Sequence, residues 1–184
     1  MQSTLRDKLT DIFGLDPRSL AVLRIGIGCL LLVDLAIRAF YLSAMYAGDG
    51  VLPIESSMHM AGSGVWSLHW LSGAVWFQAL LMGLAAVLAV GVLVGYRTRW
   101  TLLGSWVLLA SLHARNVLIN NGGDGMFRVL LFWAIFLPLG AVWSLDARRK
   151  SQQGQSLSYK PVVSVASVCF IVQLCLVYCF AGLF

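Results

Sequence analysis

The sequence predicts an all-α, polytopic membrane protein, with about five transmembrane helices preceded by an N-terminal amphipathic helix at the membrane surface. Three observations carry this. Apolar residues make up 59% of the 184 residues and charged residues only 11%, against roughly 25% charged in soluble domains. The apolar residues come in long runs, and a spanning helix needs about 17–25 of them. The basic residues gather between alternate runs. The net charge of +5 would suit a nucleic-acid binder, but no aromatic-interleaved basic patch accompanies it. The lipid bilayer, not nucleic acid, is the expected partner.

Over residues 3–15, Leu5, Leu9, Ile12 and Phe13 fall at helical spacing with charges between them, the pattern of a helix lying on a membrane surface. Charge in this segment also argues against a cleavable signal. Asp16-Pro17 is a helix start, an acidic cap followed by proline at the first helical position. The first span is predicted over about 19–41 and the second over about 72–94. Arg97-Thr98-Arg99 then makes a short turn, and the third span covers about 100–118. Residues 120–125 (Asn-Asn-Gly-Gly-Asp-Gly) are a loop by turn chemistry. The fourth span covers about 126–142, residues 146–160 form a polar, basic linker, and the fifth span covers about 161–184. The whole chain, 1–184, reads as one transmembrane domain.

Lys and Arg occur in the N-terminal segment (Arg6, Lys8, Arg18), the second-to-third turn (Arg97, Arg99) and the 146–160 linker (Arg148, Arg149, Lys150, Lys160), but not in loops 42–71 and 119–125. By the positive-inside rule the N-terminus is cytoplasmic and the C-terminus extracytoplasmic, in a multi-pass cell-membrane protein. Tyr41, Tyr46, Trp66, Trp70, Trp76, Trp100 and Trp143 lie near span ends and read as interfacial anchors.

Ionisable residues at bilayer depth are functional candidates by default. Asp34 and Arg38 stand at i,i+4 on the first span; they read as an intrahelical pair or as part of a pocket that could hold a cofactor. Arg24 has no partner at helical spacing and is expected to snorkel to the cytoplasmic surface. His113, Arg115 and Asn116 end the third span. Asp124 and Arg128, again at i,i+4, begin the fourth; Asp124 is expected to cap that helix and pair with Arg128. His113, Arg115, Asn116, Asp124 and Arg128 collect on the outer side, and Asn116 joins Asp34 and Arg38 as a candidate for cofactor binding. His113 is the candidate general base, with Arg115, Asp124 and Arg128 beside it. The competing reading is a structural hydrogen-bonded cluster. Cys29, Cys169, Cys175 and Cys179 have no metal-ligand spacing, and no metal is expected.

An ordered series of short stretches runs through the chain: 13–18 (Phe-Gly-Leu-Asp-Pro-Arg), Leu23-Arg24-Ile25, Asp34 to Arg38, Gly50 to Pro53, 93–99 (Leu-Val-Gly-Tyr-Arg-Thr-Arg), 111–116 (Ser-Leu-His-Ala-Arg-Asn), Gly122-Gly123-Asp124, Arg128, Phe136 to Gly140 and Trp143 to Asp146. The series resembles the bacterial HTTM (horizontally transferred transmembrane domain) family, relatives of the vitamin K-dependent γ-carboxylases. The resemblance implies a helical inner-membrane domain with a polar site open to the outside. In the carboxylases that site uses a reduced quinone, oxygen and carbon dioxide to carboxylate peptide glutamates, with a lysine as base. Here the lysines are Lys8, Lys150 and Lys160, all on the expected cytoplasmic side. Typical relatives also continue beyond five spans, so a truncated or minimal member is expected. Two functions follow as expectations. One is a quinone-linked, peptide-modifying enzyme. The other is a non-catalytic membrane component, assisting maturation or export of a secreted peptide or binding a partner membrane protein.

Overall fold

The computed structural model describes residues 10–156 and 159–183. Among these the chain is helical, apart from one isolated antiparallel bridge between Leu15 and Val162. The helices are α1 (Pro17–Phe40), α2 (Leu42–Tyr46), α3 (Ile54–Ala61), α4 (Val75–Val94), α5 (Thr98–Arg115), α6 (Gly122–Ala134), α7 (Leu145–Gln152) and α8 (Val165–Leu183), with 3-10 turns at Leu68–Trp70 and Val117–Ile119. Most of the expected surface helix, residues 1–9 with Leu5 and Leu9, lies outside the described residues; 10–13 are helical.

Two helices, α1 and α4, are long and apolar enough to cross a membrane, and α8 carries a shorter apolar stretch, Val165–Phe180. Helix α5 has 18 residues but is charged at both ends. The largest departure from expectation is the fourth span. Helix α6 has only 13 residues, about 20 Å at 1.5 Å per residue, which is short of the ~30 Å hydrocarbon core. It begins at Gly122, inside the stretch expected to be loop, because Asn121 and Asp124 close a reciprocal capping box there. It stops at Ala134, four residues before Pro138, which cannot donate to a continuing helix. Residues 135–144 are turns and bends. The expected linker likewise holds the short helix α7, capped by the Ser144 hydroxyl accepting from the Ala147 N–H.

Helix α1 packs on α4, α4 on α5, α5 on α6, and α6 on α8. The α1–α4 contact is close because Gly28 meets the backbone of Leu93: a Cβ at 28 would lie 2.8 Å from Leu93 Cα. The α4–α5 connection is tight because Gly95 takes a left-handed conformation (φ 70°) and its N–H returns to the carbonyls of Gly91 and Val92. That closes the helix C-terminus without strain.

Several polar and charged side chains are buried within an apolar interior, while many large apolar ones face outward. Arg24, Gln78, His113, Arg115 and Asn116 are each at most 1% exposed. Val22, Leu30, Val33, Ile37 and Phe40 on α1, and Leu80, Leu84, Val87 and Val90 on α4, face outward. Arginine is almost never fully buried unless its donors are satisfied, so each buried one must be explained by what it holds.

Candidate functional site

The site forms where the C-terminal ends of α1 and α5 meet the N-terminal end of α6, beside segment 42–73. Arg38 is its hub. It is on α1, four residues after Asp34, so the i,i+4 spacing brings its Nε to both Asp34 carboxylate oxygens, at 2.8 and 2.9 Å. Its Nη1 donates to the Tyr46 hydroxyl at 3.0 Å. Its Nη2 donates to Asp124 Oδ1 at 3.0 Å and contacts His113 Nε2 at 3.4 Å. One guanidinium thus joins four helices, α1, α2, α5 and α6. The Asp34–Arg38 pair is the intrahelical one expected from spacing.

Asp124 departs from expectation. The N-cap is Asn121, and Asp124 is the third helical residue, its Oδ2 accepting from the Asn121 N–H. Its other oxygen takes Arg38 rather than Arg128. The i,i+4 rule describes an isolated helix surface; here a guanidinium from another helix reaches the carboxylate first. Arg128 is half-buried, and its side chain makes no hydrogen bond or ion pair with any described residue.

A guanidinium can only donate, so His113 Nε2 accepts from Arg38 and the ring proton sits on Nδ1. That atom is buried and has no partner among the described residues. Asp124 Oδ1 stands 3.9 Å from His113 Nε2. Asn120 completes this corner: its Nδ2 donates to the His113 carbonyl at 2.7 Å, and its Oδ1 is buried without a partner. His113, Asn120 and Arg128 line one cavity of about 380 Å³, together with Trp66 and Trp106. His113 Nδ1 and Asn120 Oδ1 are thus an unsatisfied donor and an unsatisfied acceptor, both enclosed by protein, in two residues that also line this cavity.

Arg115 and Asn116 are placed otherwise. Arg115 points into segment 46–52 and donates from Nε, Nη1 and Nη2 to the carbonyls of Tyr46, Leu52 and Ala47, at 3.0, 3.0 and 2.8 Å. Asn116 donates to the Met45 carbonyl. Both fasten the segment after α1 to the end of α5, and neither lines the cavity. Arg24, expected to snorkel, is buried at the other end of α1, where it donates to the Trp143 carbonyl at 2.7 Å.

Segment 42–73 is knit down by further polar contacts that spacing does not reveal. The Ser57 hydroxyl donates to the Arg115 carbonyl and accepts from the Trp70 indole. Ser67 donates to the Ser111 carbonyl. His69 Nδ1 pairs with Gln78 Oε1, while Gln78 donates to the carbonyls of His69 and Ser72. Burial, with the charge of Arg115, pushes the His69 ring below its usual pKa. Gln78 is thus fully satisfied, with both ends of its amide used. Tyr46, expected as an exposed anchor, is fully buried as an Arg38 partner, whereas Tyr41, Trp66, Trp76, Trp100 and Trp143 are exposed. For Tyr46, Asn120 and Gln78, the sequence signal was a polar residue beside or inside an apolar run, with nothing to name its partner. No family model, curated protein or solved structure matches the chain.

Proposed function

We propose that the chain is a multi-pass protein of the cell inner membrane, HTTM-like, with the cavity at His113 as an outward-facing site for a reduced quinone in a peptide-modifying reaction. In this reading five segments cross or enter the bilayer, the N-terminus is cytoplasmic and the C-terminus is outside. The exposed apolar faces of α1 and α4, with Arg24, Arg38 and Arg115 buried inside the helices' packing, support the membrane placement.

The observation that carries the site reading is that His113 and Asn120, each with an orphaned buried atom (Nδ1 and Oδ1), line one cavity. They fit a hydroquinone, which is planar and carries oxygens that donate and accept. A bound quinol would supply two electrons and two protons. The His113 Nδ1–H would donate to a ring oxygen, and Asn120 Oδ1 would accept a ring hydroxyl. Trp66 and Trp106 would bound the ring, and Arg128, with no ion pair of its own, would bind an acidic group of the peptide. Arg38 and Asp124 would hold the His113 ring and its tautomer. Arg115 has no ligand role here.

Saturation favours a second reading. Arg38 and Arg115 are fully engaged by protein groups, as a non-catalytic membrane component assisting peptide maturation or export would need. Quenching of tryptophan fluorescence by a short-chain quinol separates the two. Saturable quenching in the detergent-purified protein, weakened at least tenfold by Asn120→Leu and by His113→Phe in variants that still insert, supports the quinol site. Quenching that is linear and unaltered in both variants sinks it and leaves the non-catalytic reading.

A further inference from the structure

At the opposite end of the molecule, the α4–α5 turn and the start of α7 enclose a groove of about 610 Å³ lined by Arg97, Arg99, Arg149 and Lys150. Asp146 is its one lining carboxylate, and it is already committed. Its Oδ1 accepts from the Arg97 N–H, and its Oδ2 accepts from the N–H and the hydroxyl of Thr98, each at 2.8 Å. Arg97, Arg99 and Lys150 therefore keep side chains with no carboxylate in ion-pairing range among the described residues. Arg149 is held over the Tyr96 ring, 4.7 Å from its centroid. Trp100, 72% exposed, stands at the rim, and residues 137–141 give an apolar-rich wall.

Arg97 also takes a left-handed backbone (φ 44°), where glycine is unstrained and arginine is not. A charged side chain is kept where the backbone favours none. We infer that this groove is a headgroup site for an anionic phospholipid: the cations take the phosphodiester, and Trp100 and the apolar wall take the start of the acyl chains. The commitment to a lipid rests on the membrane reading above, which exposed apolar helices flanking the groove support. A free phosphate would satisfy the cations but leave Trp100 and the wall uncovered.

The test uses the full-length protein in detergent, with binding of dioctanoyl phosphatidylglycerol, dioctanoyl phosphatidylcholine and inorganic phosphate followed by native mass spectrometry and thermal shift. Phosphatidylglycerol should bind at least tenfold tighter than either of the others. The variant Arg97→Gly keeps the N–H that Asp146 needs and relieves the strain. It should melt no lower than the parent and yet bind phosphatidylglycerol several-fold more weakly, and adding Lys150→Gln should deepen the loss. Equal binding of the two lipids, phosphate binding as tight as the lipid, or unchanged affinity in the double variant overturns the site. Alkaline carbonate extraction reads membrane insertion separately: extraction of the parent protein overturns the membrane reading, whereas lost lipid selectivity with insertion intact overturns only the site.

Discussion

Arg38 Nη2 and Asp124 Oδ1 stand 3.0 Å apart, an ion pair between α1 and the start of α6 with only 8% and 14% of the two side chains exposed. Because Arg38 also neutralises Asp34, its removal takes from both carboxylates the cation they share. Arg38→Met should destabilise the protein by about 3–5 kcal/mol, as for other broken buried pairs. Adding Asp34→Asn and Asp124→Asn should recover a large part of that. Chemical unfolding in detergent measures both; a triple variant no more stable than Arg38→Met would remove the charge argument.

Arg115 differs in kind, since its partners are three backbone carbonyls. A lysine carries the charge but cannot present the three-pronged fork. Arg115→Lys should cost about 2–3 kcal/mol from buried carbonyls left without donors. Quinol quenching should persist at temperatures where the variant remains folded. Abolished quenching in a fully folded Arg115→Lys protein would move this residue into the site.

The α1–α4 contact makes a paired prediction. A Cβ at Gly28 meets Leu93 backbone at 2.8 Å, whereas one at Gly26 meets nothing within 4 Å. Gly28→Ala should destabilise by about 1–3 kcal/mol through overpacking, and Gly26→Ala should stay within about 0.5 kcal/mol of the parent. Equal thermal midpoints for the two variants would contradict the close approach.

Asp146 makes the acid limb predictable. Burial works to raise its pKa. Hydrogen bonds from the Thr98 N–H, the Thr98 hydroxyl and the Arg97 N–H, with the Arg149 charge, outweigh that and hold it below the usual carboxylate range. A folded-state pKa below the unfolded value, about 3.9, means a contribution fully present above that value and lost as pH falls through the folded one. Stability should therefore fall below about pH 4 in the parent, and less steeply in Asp146→Asn, which starts about 1 kcal/mol less stable at neutral pH from its poorer hydrogen bonding. Unfolding midpoints between pH 2.5 and 7 compare the two slopes, and parallel profiles would contradict the assignment.

Local rules made part of this architecture legible, and contacts between distant residues hid the rest. Helices α1 and α4 are readable because their apolar runs fill a whole spanning length. The Asp34–Arg38 pair is readable because both partners sit on one helix turn. The same rule misassigned Asp124, whose partner lies 86 residues away in sequence, beyond any periodicity. Pro138 could have told that α6 ends early, since hydropathy alone runs on through residues 135–142. The part played by Arg115 was hidden because its acceptors are main-chain carbonyls, which every residue has and no sequence pattern marks.

Gly48 and Gly73 approach so closely that a Cβ on Gly73 would lie 2.7 Å from Gly48 Cα, and the Gly48 N–H donates to the Gly73 carbonyl at 2.8 Å. The segment between them is therefore a noose drawn shut at its neck, with Gly62 and Gly64 in open space near its tip. A chain severed at Ser63 would still be fastened at the neck. Two separately expressed fragments, 1–62 and 64–184, should therefore reassemble, which makes Ser63 a natural place to split the protein.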